Sequence, residues 1–191
     1  MNAEELKLFK EKPEIEYKIK ETGEKISLDL IKKIILLYQE RLKKLSEISE
    51  LTDFFFKEKL SLDKELLRWT PPAHHPRGTA ELGGGREGWS PAERAPAMKD
   101  KEIKISLDKS LKILSKIRDE DWSRENLEKI ILSEAEKFTK EIKREGDRGY
   151  LLWPLRVALT GKEASAPPFE IAEILGKKKT IQRIKEAMRL L

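Results

Sequence analysis

The sequence lacks cysteine altogether, and this single absence removes several kinds of chemistry. Without thiols the 191-residue chain has no disulfide framework, no thiolate metal site and no cysteine nucleophile. Aromatic residues are also scarce, at 7% of the chain, whereas charged residues make up 39%. This balance is typical of exposed helices rather than of a β-sandwich.

Long apolar runs are missing as well. No stretch approaches the roughly 18 consecutive apolar residues of a transmembrane helix, so we expect no membrane association. Residues 1–10 carry four charges and no apolar core of a secretory signal. We therefore expect a cytoplasmic protein.

Positive charge is concentrated at one end of the chain. The formal net charge is +5, and residues 148–191 hold nine Lys and Arg against four Glu. A basic segment on a neutral body favours a polyanionic partner, most often nucleic acid. A solvated lysine-rich face is the alternative explanation.

Composition divides the chain into three zones. Residues 70–97 hold five of the nine prolines, five of the ten glycines and both histidines, whereas both flanks are rich in Lys, Glu, Ile and Leu. We interpret 70–97 as a disordered or irregular insertion between subdomains at 1–69 and 98–191. The pair His74-His75 lacks further ligands at metal-binding spacing, and Gly83-Gly84-Gly85 lacks the Lys-Ser/Thr of a phosphate loop, so we expect no metal and no cofactor.

Helical periodicity dominates both flanks, and no segment alternates with period two. Predicted N-caps are Ser27, Ser61, Ser106, Ser123 and Thr180, and Gly161 and Gly176 are predicted to end helices. The predicted helices are 28–48, 51–59, 62–69, 107–117, 124–145, 154–160 (with Pro154 in its first turn), 169–175 and 181–188. The aromatic run 54–56 is predicted to lie in a core. The fold class is all-α, as two small helical-bundle subdomains.

Two segments resemble one family. Residues 151–184, LLWPLRVALTGKEASAPPFEIAEILGKKKTIQRI, and residues 38–56, YQERLKKLSEISELTDFFF, are similar to the C-terminal region of bacterial-type glutamyl-tRNA synthetases. The resemblance covers 1–69 and 98–191; in the family a short loop would join Trp69 directly to Met98. The catalytic Rossmann domain of that family, with its HIGH-like and KMSKS-like motifs, has no counterpart here.

The resemblance implies an anticodon-binding region whose partner is tRNA of the glutamate type. It implies no catalytic residue and no ATP site, so the chain should be inactive alone. Basic residues expected to contact phosphate are Lys162, Lys177, Lys178, Lys179 and Arg183. Arg41 and Arg156 lie in the family motifs, and packing is the alternative explanation for both. For Arg156, the alternatives are a structural arginine bonded to a carboxylate or helix-end carbonyl and an arginine held rigid to meet a phosphate or base.

Two other hypotheses stay open at this stage. One is a non-catalytic helical module that binds protein, including the remaining part of a split synthetase with a separate catalytic domain. The other is that the sequence is a fragment of a gene for a whole ligase, which the sequence upstream of Met1 would decide.

Overall fold

A computed structural model of the chain describes residues 17–18, 23, 25–71 and 97–191. The chain forms two compact units, residues 1–57 and 58–191. The predicted boundary after residue 69 therefore differs from the observed one, because residues 58–71 pack with 97–191. Most of the predicted insertion, residues 72–96 with His74-His75 and the triple glycine, lies outside the described residues.

The described part of the first unit contains two short strands and two helices. Tyr17–Lys18 (β1) pairs antiparallel with Lys25–Ile26 (β2), and the helices are Leu28–Tyr38 (α1) and Ile48–Thr52 (α2). Short 3₁₀ turns at Leu45–Glu47 and Asp53–Phe55 flank α2. The buried apolar residues described in the first unit are Ile34, Tyr38, Phe54 and Phe55. The rings of Tyr38 and Phe55 meet edge to face with centroids 6.4 Å apart, which confirms that part of the 54–56 run is core.

The helix that opens at Ser27 is shorter than predicted. The hydroxyl of Ser27 accepts a hydrogen bond from the backbone N–H of Leu30, as expected for an N-cap. However, α1 ends at Tyr38 rather than near residue 48. A carboxylate oxygen of Glu47 accepts from the N–H of Lys43, and this local bond stabilises a turn where periodicity alone predicted more helix.

Four helices form most of the second unit: Asp100–Lys116 (α3), Arg124–Glu141 (α4), Gly149–Thr160 (α5) and Pro168–Met188 (α6). Short 3₁₀ turns occur at Lys64–Leu67 and Asp119–Asp121. The helices α5 and α6 pack against each other and against both α3 and α4, so they form the centre. The two outer helices touch each other little. The all-α prediction is confirmed, since the described strands are only two residues long.

Some predicted caps are confirmed and others are wrong. Ser123 opens α4, and Gly161 ends α5 in the left-handed region at φ 67°. Ser106 lies inside α3, because the helix begins six residues earlier, where the carboxylate of Glu102 accepts from the N–H of Lys99. Ser61 opens no helix; the following 3₁₀ turn is capped by Asp63.

Pro154 lies in the middle of α5 rather than in its first turn, because α5 begins at Gly149. The longest helix, α6, contains one break. Gly176 has φ 75° and ψ 162°, a conformation that only glycine adopts readily, so the predicted interruption is confirmed. The helix resumes at Lys177, and Thr180 is buried within it instead of capping it.

Residues 58–71 are attached to the four helices by a tryptophan and an arginine. The Nε1 of Trp69 donates to both carboxylate oxygens of Asp147, at 3.1 and 3.0 Å. Arg68 donates to Asp100 at 2.5 Å and to the carbonyl of Met98 at 3.0 Å. Leu67 is fully buried. These contacts explain why the segment belongs to the second unit.

Candidate nucleic-acid interface

The C-terminal turn of α5 is built from hydrogen bonds to its last carbonyls. The N–H of Gly161 donates to the carbonyl of Val157 at 2.7 Å, and the hydroxyl of Thr160 donates to the carbonyl of Arg156 at 2.9 Å. The same hydroxyl accepts from the N–H of Lys162 at 3.1 Å. The turn therefore fixes the path of the loop that follows α5.

Arg156 is a half-buried arginine held in a defined plane. Its Cζ lies 4.5 Å from the ring centroid of Trp153, and its Nη2 donates to the carbonyl of Glu163 at 2.8 Å. Burial lowers the pKa of Arg156, and the nearby carboxylate of Glu163 opposes that shift. Its Nε is buried and has no hydrogen-bond partner within the described residues. The guanidinium is thus oriented by stacking and by one bond, with donor capacity left over.

Trp153 is itself held in place by a segment distant in sequence. Its Nε1 donates to the carbonyl of Leu66 at 2.7 Å, and its ring lies 5.1 Å from that of Trp69 at an interplanar angle of 42°. Trp69, Trp153 and Arg156 lie in contact in that order, with the two indoles tilted, and we call these three side chains the Trp–Arg array. All three side chains are partly exposed. Sequence analysis missed the role of Trp69, because no local pattern links it to Trp153.

A basic turn follows the break in α6. Lys177, Lys178 and Lys179 occupy the first turn after Gly176, where backbone N–H groups at a helix start favour an anion. Lys178 is exposed, whereas Lys177 and Lys179 are partly buried. Lys177 lies 3.7 Å from Asp119, whose side chain is 84% exposed, so this pair is weak. Because the helix resumes at Lys177, these three lysines lie in its first turn. The sequence had instead predicted that Thr180 would cap a helix beginning at residue 181.

Arg183 is placed differently from its prediction. Its side chain is 1% exposed, and its Nη1 donates to the carbonyl of Leu159. Burial lowers its pKa to about 10, with a smaller opposing effect from Glu186. A phosphate cannot reach a side chain in this position, so the structure does not support a phosphate contact by Arg183. The sequence signal for burial was its spacing from Thr180, Ile184 and Ala187, which are all buried.

The remaining predicted residues lie in two places. Lys162 is partly exposed in the loop after α5, and its N–H donates to the hydroxyl of Thr160. Arg41 is exposed in the turn after α1, in the first unit. The structure thus places Lys162 in the loop whose Glu163 carbonyl accepts from Arg156, and the three lysines together on α6.

The described residues offer neither a metal site nor a membrane-spanning helix. Among the described residues, no group of three or more His, Asp or Glu side chains could hold a metal ion. Every helix within the described ranges is too short or too polar to cross a lipid bilayer.

The sequence of this chain matches a known protein family over nearly its whole length. The family model described as "Anticodon binding domain" matches residues 3–188. The chain belongs to the anticodon binding domain family. Its two units and the Trp–Arg array are therefore parts of an anticodon binding domain.

Relatives of this anticodon binding domain are longer proteins. A glutamate–tRNA ligase of Clostridium botulinum (strain Hall) is 30% identical over 160 residues, covering 81% of this chain and 25% of that protein. A glutamate–tRNA ligase of Clostridium novyi is 41% identical over 83 residues, covering 42% of this chain and 15% of that protein. The chain thus spans about a quarter or less of these relatives.

A solved structure shares the fold of the anticodon binding domain. The crystal structure of a glutamate tRNA ligase from Elizabethkingia meningosepticum, in complex with its amino acid, matches with a TM-score of 0.58. The match covers 90% of this chain and 27% of that one, at 24% identity. At this identity the comparison supports the fold alone.

Proposed function

We propose that this anticodon binding domain binds the anticodon arm of a glutamate-type tRNA, as the RNA-recognising part of a glutamate–tRNA ligase. The observation that carries the proposal is the fixed plane of Arg156 on Trp153, beside a loop that carries Lys162. The family match and the names of the relatives support the same reading.

Anticodon bases are unstacked, so their faces and edges are open to side chains. A guanidinium stacked on an indole offers a flat face to a base and, in its plane, donors for base-edge acceptors. Because Arg156 is only half-buried, part of its guanidinium remains within reach of such a base.

The lysines serve a different purpose in this proposal. Lys162, Lys177, Lys178 and Lys179 contact backbone phosphates, which adds affinity without reading sequence. Arg41 is a further candidate contact from the first unit. No cofactor takes part in this binding, since ATP and glutamate belong to a catalytic domain that supplies the chemistry. The domain works in the cytoplasm with that catalytic domain and is inactive by itself.

Binding to RNA tests the proposal directly. We expect the chain to bind glutamate-type tRNA more tightly than a tRNA for another amino acid, and to lose affinity steeply as salt rises from about 50 to about 200 mM. The absence of measurable tRNA binding at low salt would overturn the proposal. Binding that is equal for all tRNAs would restrict it to a general RNA-binding role.

An arginine variant sharpens the test. Arg156→Lys keeps the charge but loses the planar fork, so we expect the preference for the glutamate-type anticodon to fall while the salt dependence is retained. Arg118→Lys, at a side chain that is 69% exposed, is the matched control and should leave both quantities unchanged.

A protein-binding role is the second candidate, and a groove between α3 and α4 favours it. The groove has a volume of about 750 Å³ and exposes Ile113 and Ile130 between Lys109, Lys116 and other polar residues. A separately expressed catalytic domain would be the partner. Sedimentation of the two proteins as one species without RNA would support this role.

A further inference from the structure

Arg183 is a buried arginine whose position requires a structural explanation. It lies in the second half of α6 on the face shared with Thr180 and Ile184, and 1% of its side chain is exposed. Removing a guanidinium from water is costly unless its hydrogen bonds are replaced. Its Nη1 donates to the carbonyl of Leu159, in the last turn of α5.

That carbonyl is one of the groups that a helix end leaves without a helical partner. A cation at the C-terminal end of a helix is also favoured by the helix dipole. Arg183 therefore caps α5 from the neighbouring helix. Because Arg183 shares a helical segment with Lys177, Lys178 and Lys179, the same contact ties the basic turn of α6 to the end of α5.

The end of α5 leads directly to Arg156 through a short series of bonds. Thr160, the residue after Leu159, donates its hydroxyl to the carbonyl of Arg156 and accepts from the N–H of Lys162. The loop then returns, and the carbonyl of Glu163 accepts from Nη2 of Arg156 at 2.8 Å. The position of the Glu163 carbonyl, and hence the plane of Arg156, depends on the conformation of the C-terminal turn of α5.

We propose that Arg183 is a positioning residue for anticodon recognition: it holds the C-terminal turn of α5 from the interior and thereby orients Arg156 and the loop 161–163. The recognition part of this inference rests on the proposed function. Arg183 itself does not touch RNA.

Hydrogen exchange in the free protein tests the positioning without any RNA. In Arg183→Met we expect the amides of residues 160–163 to exchange about tenfold faster. The reason is that the variant lacks the charged donor that bonds the last turn of α5. Amides in the middle of α4 should keep their wild-type protection. The matched control is Lys178→Met, an exposed cation on the same helical segment, which should leave residues 160–163 unchanged.

RNA binding by the same variants tests the consequence for recognition. For Arg183→Met we expect the ratio of affinities for the unaltered anticodon arm and for arms with one anticodon base replaced to fall toward one. The slope of log affinity against log salt should stay at the wild-type value. A purely structural loss of folded protein would move neither the ratio nor the slope, whereas loss of a phosphate contact would reduce the slope by about 0.7–0.9.

Arg183→Lys keeps the charge and shortens the side chain, and it carries the test if Arg183→Met does not fold. Unchanged exchange at residues 160–163 in the variant that folds, or a reduced salt slope, overturns the positioning role. If the wild-type chain shows no anticodon preference, the proposed function fails, and the exchange result still decides whether Arg183 holds the turn.

Discussion

The indole of Trp69 lies directly against Gly149, so that a Cβ added at residue 149 would lie 2.2 Å from Cε2 of the ring. The ring is fixed there because Asp147 accepts from its Nε1 and also from the N–H of Gly149, at 2.9 Å. The first turn of α5 and the segment around Trp69 are therefore fitted to each other.

Replacing Gly149 by alanine should destabilise the protein. Alanine favours a helix over glycine by about 1 kcal/mol, but here the methyl group would displace Trp69. We expect a net loss of about 1–3 kcal/mol in the free energy of unfolding, as is typical of overpacking. Urea denaturation measures the loss, with the exposed α3 substitution Ser115→Ala as a control. Equal or greater stability for Gly149→Ala would contradict the fit described above.

The two helix-ending glycines should respond differently to asparagine. Gly161 has φ 67° and ψ 15°, in the left-handed region that asparagine tolerates, whereas Gly176 has φ 75° and ψ 162°, which is accessible essentially to glycine alone. At residue 161 asparagine should therefore cost less stability than alanine. At residue 176 asparagine and alanine should cost the same, about 1–3 kcal/mol. Denaturation of the four variants measures both differences, and a rescue by asparagine at 176 would argue against the observed break.

Lys178→Met should weaken RNA binding without changing which RNA is preferred. If Lys178 contacts a phosphate, the slope of log affinity against log salt should become less steep by about 0.7–0.9. Lys129→Met, at an exposed lysine of α4, is the control and should keep the wild-type slope. Titrations of both variants over a salt series measure the slopes, and the same slope for Lys178→Met and wild type would remove this lysine from the interface.

Tyr150 should make stability fall at alkaline pH. Its side chain is 2% exposed, and burial raises its pKa above the ordinary value of 10.0, aided by Asp147 and opposed by Arg144. Above about pH 10 the folded state then binds more protons than the unfolded chain, so the free energy of unfolding decreases as pH rises. Between about pH 8 and about pH 11, wild type should lose more stability than Tyr150→Phe. Urea denaturation along this series tests the point, and parallel curves would contradict it.

Local chemistry explains which parts of the fold could be predicted. Ser27, Ser123 and Gly161 act where the sequence placed them, because a capping side chain or a left-handed turn depends on neighbours within one turn of helix. Ser106 and Thr180 misled the prediction, since both are buried inside helices that begin earlier. The start of α3 depends on the carboxylate of Glu102, which accepts a hydrogen bond from the N–H of Lys99. Lys99, which precedes the helix, has no side-chain hydroxyl, so the usual sequence signal of an N-cap is missing.

The candidate interface was predictable in its chemistry but not in its arrangement. The sequence left Arg156 open between a structural arginine and one held rigid to meet a phosphate or base, and its observed plane depends on Trp153 and the carbonyl of Glu163. Trp69 joins the array from a segment far away in sequence, which no local spacing reveals. Arg183 carries the charge expected of a phosphate contact but lies at a core position. Only the packing of α6 distinguishes these two roles.

The backbone on either side of residues 70–97 closes on itself. The N–H of Met98 donates to the carbonyl of Trp69 at 2.9 Å, so the residues on either side of 70–97 lie next to each other. This makes the position a natural splice site. The residues between could be exchanged for a short glycine-serine turn, or the polypeptide opened there, while Trp69 stays seated against Gly149. Because its two ends already meet, the predicted insertion 70–97 is a segment that protein engineering can replace.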